Sequence, residues 1–162
     1  MGPFKSLGHF ALRVRDLDKS VDFYTKLGYP EFLRLTRENG ETWIVYMRMA
    51  DDLYIELFPG GPKDQMNTPP EHTGVTHLSV MIDDADNAEE HLKKVGIPLM
   101  RPRNPGRSLD RNRGMWVEDP DGNRIEIMEM APNCIQFEAI RDFHKGKPPH
   151  VLKLYPGQKP PA

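Results

Sequence analysis

A chain of 162 residues is the size of one domain, and 22 Lys and Arg against 24 Asp and Glu leave a net charge of −2, which excludes the strongly basic surface of a general nucleic-acid binder. Leu, Ile, Val and Phe exceed the ~20% share below which disorder is expected, so the chain folds around a core. Its longest apolar run, residues 43–47, falls far short of the roughly 18 residues of a membrane span. A lone cysteine, Cys134, excludes an intrachain disulfide and a multi-cysteine metal site, and the expectation is a cytoplasmic protein without signal peptide or acyl anchor.

In chain order, residues 8–16 read as a short strand. Side chains alternate between its faces, so Phe10, Leu12 and Val14 form the apolar side and His9, Ala11 and Arg13 the other. Val21, Tyr24 and Leu27, between Asp18 and Gly28, have the spacing of an amphipathic helix with an acidic start and a glycine stop. Strands follow at about 31–38, 41–49 and 53–58, the first two joined by a tight turn at Asn39-Gly40. Residues 59–74, rich in Pro and Gly, read as a connector.

The pattern then repeats. Residues 76–84 form a second alternating strand that begins near a histidine and ends in aspartates, and Ala88, Leu92 and Val95 between Asp86 and Gly96 form a second helix. Strands are expected at about 98–101, 113–118 and 124–130, the last two joined by the turn sequence Asp119-Pro120-Asp121-Gly122. His9 and His77 stand 68 residues apart, and so do Gly28 and Gly96. Beyond residue 130, Ile135, Ala139, Ile140 and Phe143 suggest a short docking helix, followed by a Pro-rich, basic tail; six of the 16 prolines lie in this last stretch. Cys134 reads as a small buried hydrophobe, and His72, His91, His144 and His150 as structural or solvated residues. Five arginines within 101–114 read first as a solvated loop and second as an anion funnel.

Each half therefore offers one His on its first strand and one Glu on its last, His9 with Glu56 and His77 with Glu126. All four lie opposite the apolar face, among Tyr54, Phe58 and Met128, where a carboxylate is costly unless paired or bound to metal. A single such pair is ordinary on a solvent face. Its recurrence at one place in a repeat points to a metal, and two imidazoles with two carboxylates suit an octahedral first-row divalent ion with two positions left for water or substrate.

Three stretches carry a resemblance to a family: the His9-x-x-x-Arg13 strand, the run Asp-Leu-Asp-Lys-Ser-Val-Asp-Phe-Tyr-Thr-Lys-Leu-Gly at 16–28, and Val-Glu-Asp-Pro-Asp-Gly-Asn-Arg-Ile-Glu-Ile at 117–127. Over residues 7–130 the chain resembles the vicinal oxygen chelate superfamily, whose best-known member is glyoxalase I. The resemblance implies an α+β fold of two tandem βαβββ modules, about 7–58 and 75–130, forming a U-shaped mixed sheet around a metal within a single domain, 1–130, with 131–162 as an extension. It places His9, Glu56, His77 and Glu126 at the ligand positions of one divalent ion (Ni, Zn, Co, Mn or Fe) and implies a homodimer, with the site built either within one chain or, as often in relatives of this size, across the two.

By the same resemblance, Glu126 is the proton-carrying base and Glu56 its partner. Arg13 would hold an anionic substrate end, and Tyr54, Phe58 and Met128 would line the substrate site. The implied activity is that of a lyase or isomerase, moving a proton next to the carbonyl of a small anionic substrate through a metal-bound enediolate. The alternatives are a non-catalytic resistance-type binder and a ring-cleaving dioxygenase; Glu56, a second carboxylate, stands against the latter. Two departures from glyoxalase I, Gly60 where an Asn is expected and a helix end at Lys26-Leu27-Gly28 one residue short, argue against glutathione as cosubstrate.

Overall fold

The computed structural model describes residues 5–65 and 73–151. The elements run β1 (His9–Arg13), α1 (Leu17–Leu27), β2 (Glu31–Thr36), β3 (Thr42–Arg48), β4 (Tyr54–Phe58), β5 (Leu78–Ile82), α2 (Ala85–Val95), β6 (Arg113–Glu118), β7 (Arg124–Glu129) and α3 (Ile135–His144). Part of the connector, His72 and the last eleven residues of the tail lie outside the described residues.

Both repeat helices start two residues earlier than their acidic residues suggested, and for one reason. Asp16 and Asp84, in extended backbone, accept hydrogen bonds from the free N–H groups of the first turn, leaving Asp18 and Asp86 inside that turn. Gly28 and Gly96 end the helices at φ 111° and 75°, in the left-handed region that a side chain disfavours.

The strands form two sheets of mixed direction. The first has the order β1-β4-β3-β2 and the second β5-β7-β6. Each opens with a parallel pair, β1 with β4 and β5 with β7, and continues antiparallel. The second sheet lacks the strand expected at 98–101, and proline explains why. In an extended segment the N–H groups of residues 98, 100 and 102 point to the same side. Met100 donates to the Trp116 carbonyl at 2.9 Å, but residues 98 and 102 are prolines with no N–H to give, so the ladder stops at one bond.

A common core joins the halves. Val14, Tyr24, Val45, Met47, Ile55 and Leu57 from one pack in the same cluster as Val80, Leu92, Met115, Val117, Ile125 and Ile127 from the other. The 119–122 turn locks them further. Asp119 and Asp121 are buried, contrary to the usual solvated turn. Tyr24 Oη donates to Asp119 Oδ2 at 2.8 Å, and Asp119 also accepts the N–H groups of Asp121 and Asn123. Arg15 Nε donates to Asp121 Oδ1 at 2.8 Å. Burial, and then the neighbouring Asp119 carboxylate, push the Tyr24 hydroxyl well above its ordinary pKa. With its core faces covered in this way, each sheet turns its second face outward.

Candidate functional site

The four candidate ligands fall into two like pairs. Glu56 lies across β1 from Ala11, two residues past His9, and Glu126 lies across β5 from Ser79, two residues past His77. That shared diagonal brings each imidazole to its carboxylate at the same separation: 3.7 Å from His9 Nε2 to Glu56 Oε2 and 3.7 Å from His77 Nε2 to Glu126 Oε2. At 3.7 Å neither is a hydrogen bond. With metal–donor bonds of about 2.1 Å, two donors of one ion lie between about 3.0 Å apart at right angles and about 4.2 Å apart when opposite, so each pair is within the span of one ion. Hard oxygen and imidazole nitrogen are the donor types of a first-row divalent ion. Among the described residues, no three His, Cys, Asp or Glu of one chain gather closely enough to hold a metal. Each chain presents two His–Glu pairs on two different sheets.

Aromatic rings fix the imidazoles. His9 stacks on Tyr54, centroids 5.2 Å apart and planes 14° from parallel, and His77 meets the Trp116 ring edge to face at 5.0 Å. Thr76 Oγ1 lies 2.9 Å from His77 Nδ1, which engages that nitrogen and leaves Nε2 facing Glu126. The imidazoles are 46% and 38% exposed while their carboxylates are 14% and 20% exposed, so the histidines form the outer lip of each pair.

Tyr46, directly across from Glu56, and Trp116, directly across from Glu126, were missed by a reading confined to the first and last strands of each half. On β6 the signal was available: Gly114 and Trp116 alternate with buried Met115 and Val117. Burial, reinforced by the Glu56 and Tyr54 charges, raises the Tyr46 hydroxyl above its ordinary pKa.

The remaining candidates divide between the halves. Arg13 sits over the Phe58 ring at 6.0 Å and donates to the Pro59 carbonyl at 3.1 Å, away from the His–Glu pair. Met128 joins Trp116 and Glu126 in the lining of a cavity of about 730 Å³, closed by the 101–112 loop and the start of α3. The anion-funnel reading of that loop does not fit its ion pairs. Arg103 pairs with Asp86 and Glu89, Arg107 with Glu129, Arg111 with Glu138, and Arg113 with Asp86 and Glu129. Four of the five arginines are thus neutralised by carboxylates. Cys134 is buried, as expected, and His91 bonds to the Lys26 carbonyl, tying α2 to α1. No helix among the described residues is long and apolar enough to cross a membrane.

Known proteins share this architecture. Lactoylglutathione lyase of Shigella flexneri is 32% identical over 126 residues, 75% of this chain and 90% of that protein. A crystal structure of a glyoxalase family protein from Enterococcus faecalis superposes with a TM-score of 0.65 at 22% identity, over 78% of this chain and 98% of that one. A variant of the fosfomycin resistance protein FosX from Listeria monocytogenes, solved with Mn(II) and 1S,2S-dihydroxypropylphosphonic acid, superposes with a TM-score of 0.58 at 20% identity, over 80% and 94% of the two chains. These two structures share the fold, and the second is a protein of that fold holding a divalent metal. The family model that matches residues 6–127 spans both His–Glu pairs and ends before α3, and by that match the chain belongs to the Glyoxalase/Bleomycin resistance protein/Dioxygenase superfamily.

Proposed function

We propose that the chain is a divalent-metal-dependent lyase or isomerase of the glyoxalase type, which moves a proton on the carbon next to a carbonyl of a small substrate. The observation that carries this reading is the duplicated His–Glu pair, set on the same diagonal and at 3.7 Å in both halves. Two donors make half a shell. A homodimer in which His9 and Glu56 of one protomer face the partner subunit's His77 and Glu126 completes two four-donor sites by symmetry.

A divalent ion held there supplies Lewis acidity, which lowers the pKa of a C–H bond next to the carbonyl it polarises. Glu126, shielded beside Trp116 and Met128, would take the proton from a hydroxyl-bearing carbon beside the carbonyl and return it to the former carbonyl carbon while the hydroxyl proton passes to the other oxygen, an isomerisation that needs no oxidant. Glu56 holds the matching place on the other side of the shell. Tyr54 positions His9 by stacking, and Arg13 on Phe58, about 13 Å along the strand from His9, anchors an anionic end of the substrate.

Mixing subunits tests both the metal and the dimer. His9→Ala and His77→Ala should each lose bound metal when alone. Mixed dimers of the two should regain half of their sites, because one site then collects both damaged halves and the other none. Metal retained in the His9→Ala, His77→Ala double variant sinks the ligand assignment. No recovery on mixing sinks the shared site.

A further inference from the structure

The cavity beside Glu126 has its floor on β6 and β7, and its wall comes from parts of the chain that the duplicated scaffold does not supply. Trp116 and Met128 lie on the open face of β6 and β7, and Gly114, across from Met128, adds no side chain to that face. Leu109 and Ile135 close the space from the 101–112 loop and α3. This wall is fastened as one piece. Asn112, 3% exposed, donates from its side-chain Nδ2 to Asp110 Oδ2 at 2.8 Å and to Gln136 Oε1 at 3.3 Å, while its side-chain Oδ1 accepts the Ala131 N–H at 3.0 Å. Gln136 Nε2 donates to the same Asp110 carboxylate at 2.8 Å. Arg111 is held at φ 72°, a costly conformation for a residue with a side chain, and pairs with Glu138 of α3 at 2.9 Å.

Arg103, Arg107, Arg111 and Arg113 are held in ion pairs within the protein, so although Arg101, Arg103 and Arg113 reach the cavity, the larger part of its lining surface is apolar. A volume of about 730 Å³ lies within the ~300–1,000 Å³ usual for a small-molecule site and exceeds what a two- or three-carbon compound fills. Resting on the metal-dependent reading above, we infer that the loop and α3 are the specificity element. The substrate carries a bulky apolar group, of aromatic-ring size, held between Trp116 and Met128 on the sheet and Leu109 and Ile135 on the wall. Its reacting carbonyl is then directed toward Glu126.

Two 2-oxo acids with the same head group and different bodies test this: phenylpyruvate and pyruvate. Each is titrated into the full chain with EDTA and again with Mn(II), following the Trp116 emission in a Trp43→Phe background. Equilibrium dialysis of the unsubstituted chain gives the same constants independently. Burying the ring should make phenylpyruvate bind at least about tenfold more tightly than pyruvate. The Leu109→Ala, Ile135→Ala variant should lose most of that preference while pyruvate affinity stays put; Leu109 is 52% exposed, so its truncation leaves the core alone. Equal affinities, no binding of either acid at millimolar concentration, or a preference unchanged by the double substitution overturns the inference. The ratio measured with EDTA requires no metal. A chain that keeps the preference yet never binds Mn(II) therefore refutes the metal reading and not this one.

Discussion

In the first half of the molecule β2 pairs along β3, and the open face of the sheet carries the rings of Phe32, Tyr46 and Tyr54 beside Glu56. In the second half the corresponding stretch holds Pro98 and Pro102, keeps one backbone bond to β6, and the chain beyond it forms a loop that closes a cavity beside Glu126. The His–Glu geometry is nevertheless the same in both. The parallel pairings β1–β4 and β5–β7 set each Glu two residues along from its His, and the rings of Tyr54 and Trp116 hold the imidazoles there. What surrounds the two pairs is set by the connections, and these diverged. The lesson is that a repeated scaffold can keep one His–Glu geometry twice while the surroundings of the two pairs differ.

The sharpest way to break this comparison is to remove each carboxylate's basicity in turn. Glu126→Gln keeps shape and an oxygen donor, and should cut turnover on the order of 10²–10⁴, the range for loss of a general base. Glu56→Gln, on the sheet away from the cavity beside Glu126, should cost less. Exchange of the substrate α-hydrogen in D₂O, followed by NMR with metal content measured alongside, decides it. Equal losses would make the halves functionally equivalent, and dependence of product on oxygen would assign the dioxygenase reaction.

Stability asks whether the halves behave as one body. Tyr24→Phe removes the donor to buried Asp119 across the junction and should cost about 1–3 kcal/mol in urea unfolding. Because the core is shared, unfolding should stay a single transition; two separated transitions would show two independent halves.

Acid should act unevenly on them. Hydrogen bonds from Arg113, Arg103 and neighbours hold the Asp86, Glu89 and Glu129 carboxyls below their ordinary range. Burial raises the Asp110 carboxyl, but hydrogen bonds from Ser108, Gln136 and Asn112 outweigh it and leave it lowered too. A lowered folded pKa stabilises fully above the ordinary values, 3.8 for Asp and 4.5 for Glu, and that contribution drains away as pH falls through the folded values. Below about pH 4 the 101–112 wall should therefore loosen before the β1–β4 sheet, seen as earlier loss of amide protection in the wall. Simultaneous loss would contradict the assignment.

The smallest effect is expected from Pro98→Val with Pro102→Val. Returning two N–H donors to the edge facing β6 offers about 0.5–1.5 kcal/mol per bond, against about 0.4–1 kcal/mol per proline in lost unfolded-state restriction. Net stability should move by about 1 kcal/mol or less, while the new amides at 98 and 102 become protected from exchange. Fast exchange at both would show that something other than proline keeps this segment out of the sheet.

The sequence by itself determined the repeat, the order of elements in each half and the sharing of a face by His9 with Glu56 and by His77 with Glu126. These depend on local rules: the two-residue period of a strand, aspartates that cap helix starts, and glycines at left-handed stops. Even there, Asp16 and Asp84 took the cap that Asp18 and Asp86 had suggested, since a cap is decided by which carboxyl reaches the free N–H groups. Tertiary structure alone decided the rest. The loop arginines met acids as far off as Glu129 and Glu138, which turned an apparent anion funnel into a fastened wall. The buried Asp119 and Asp121 became a clamp on Tyr24 and Arg15. The four candidate ligands came to lie as two separate His–Glu pairs rather than one cluster. Burial and long-range charge pairing depend on which distant segments meet, and a pattern read along the chain carries periods and caps but not those meetings.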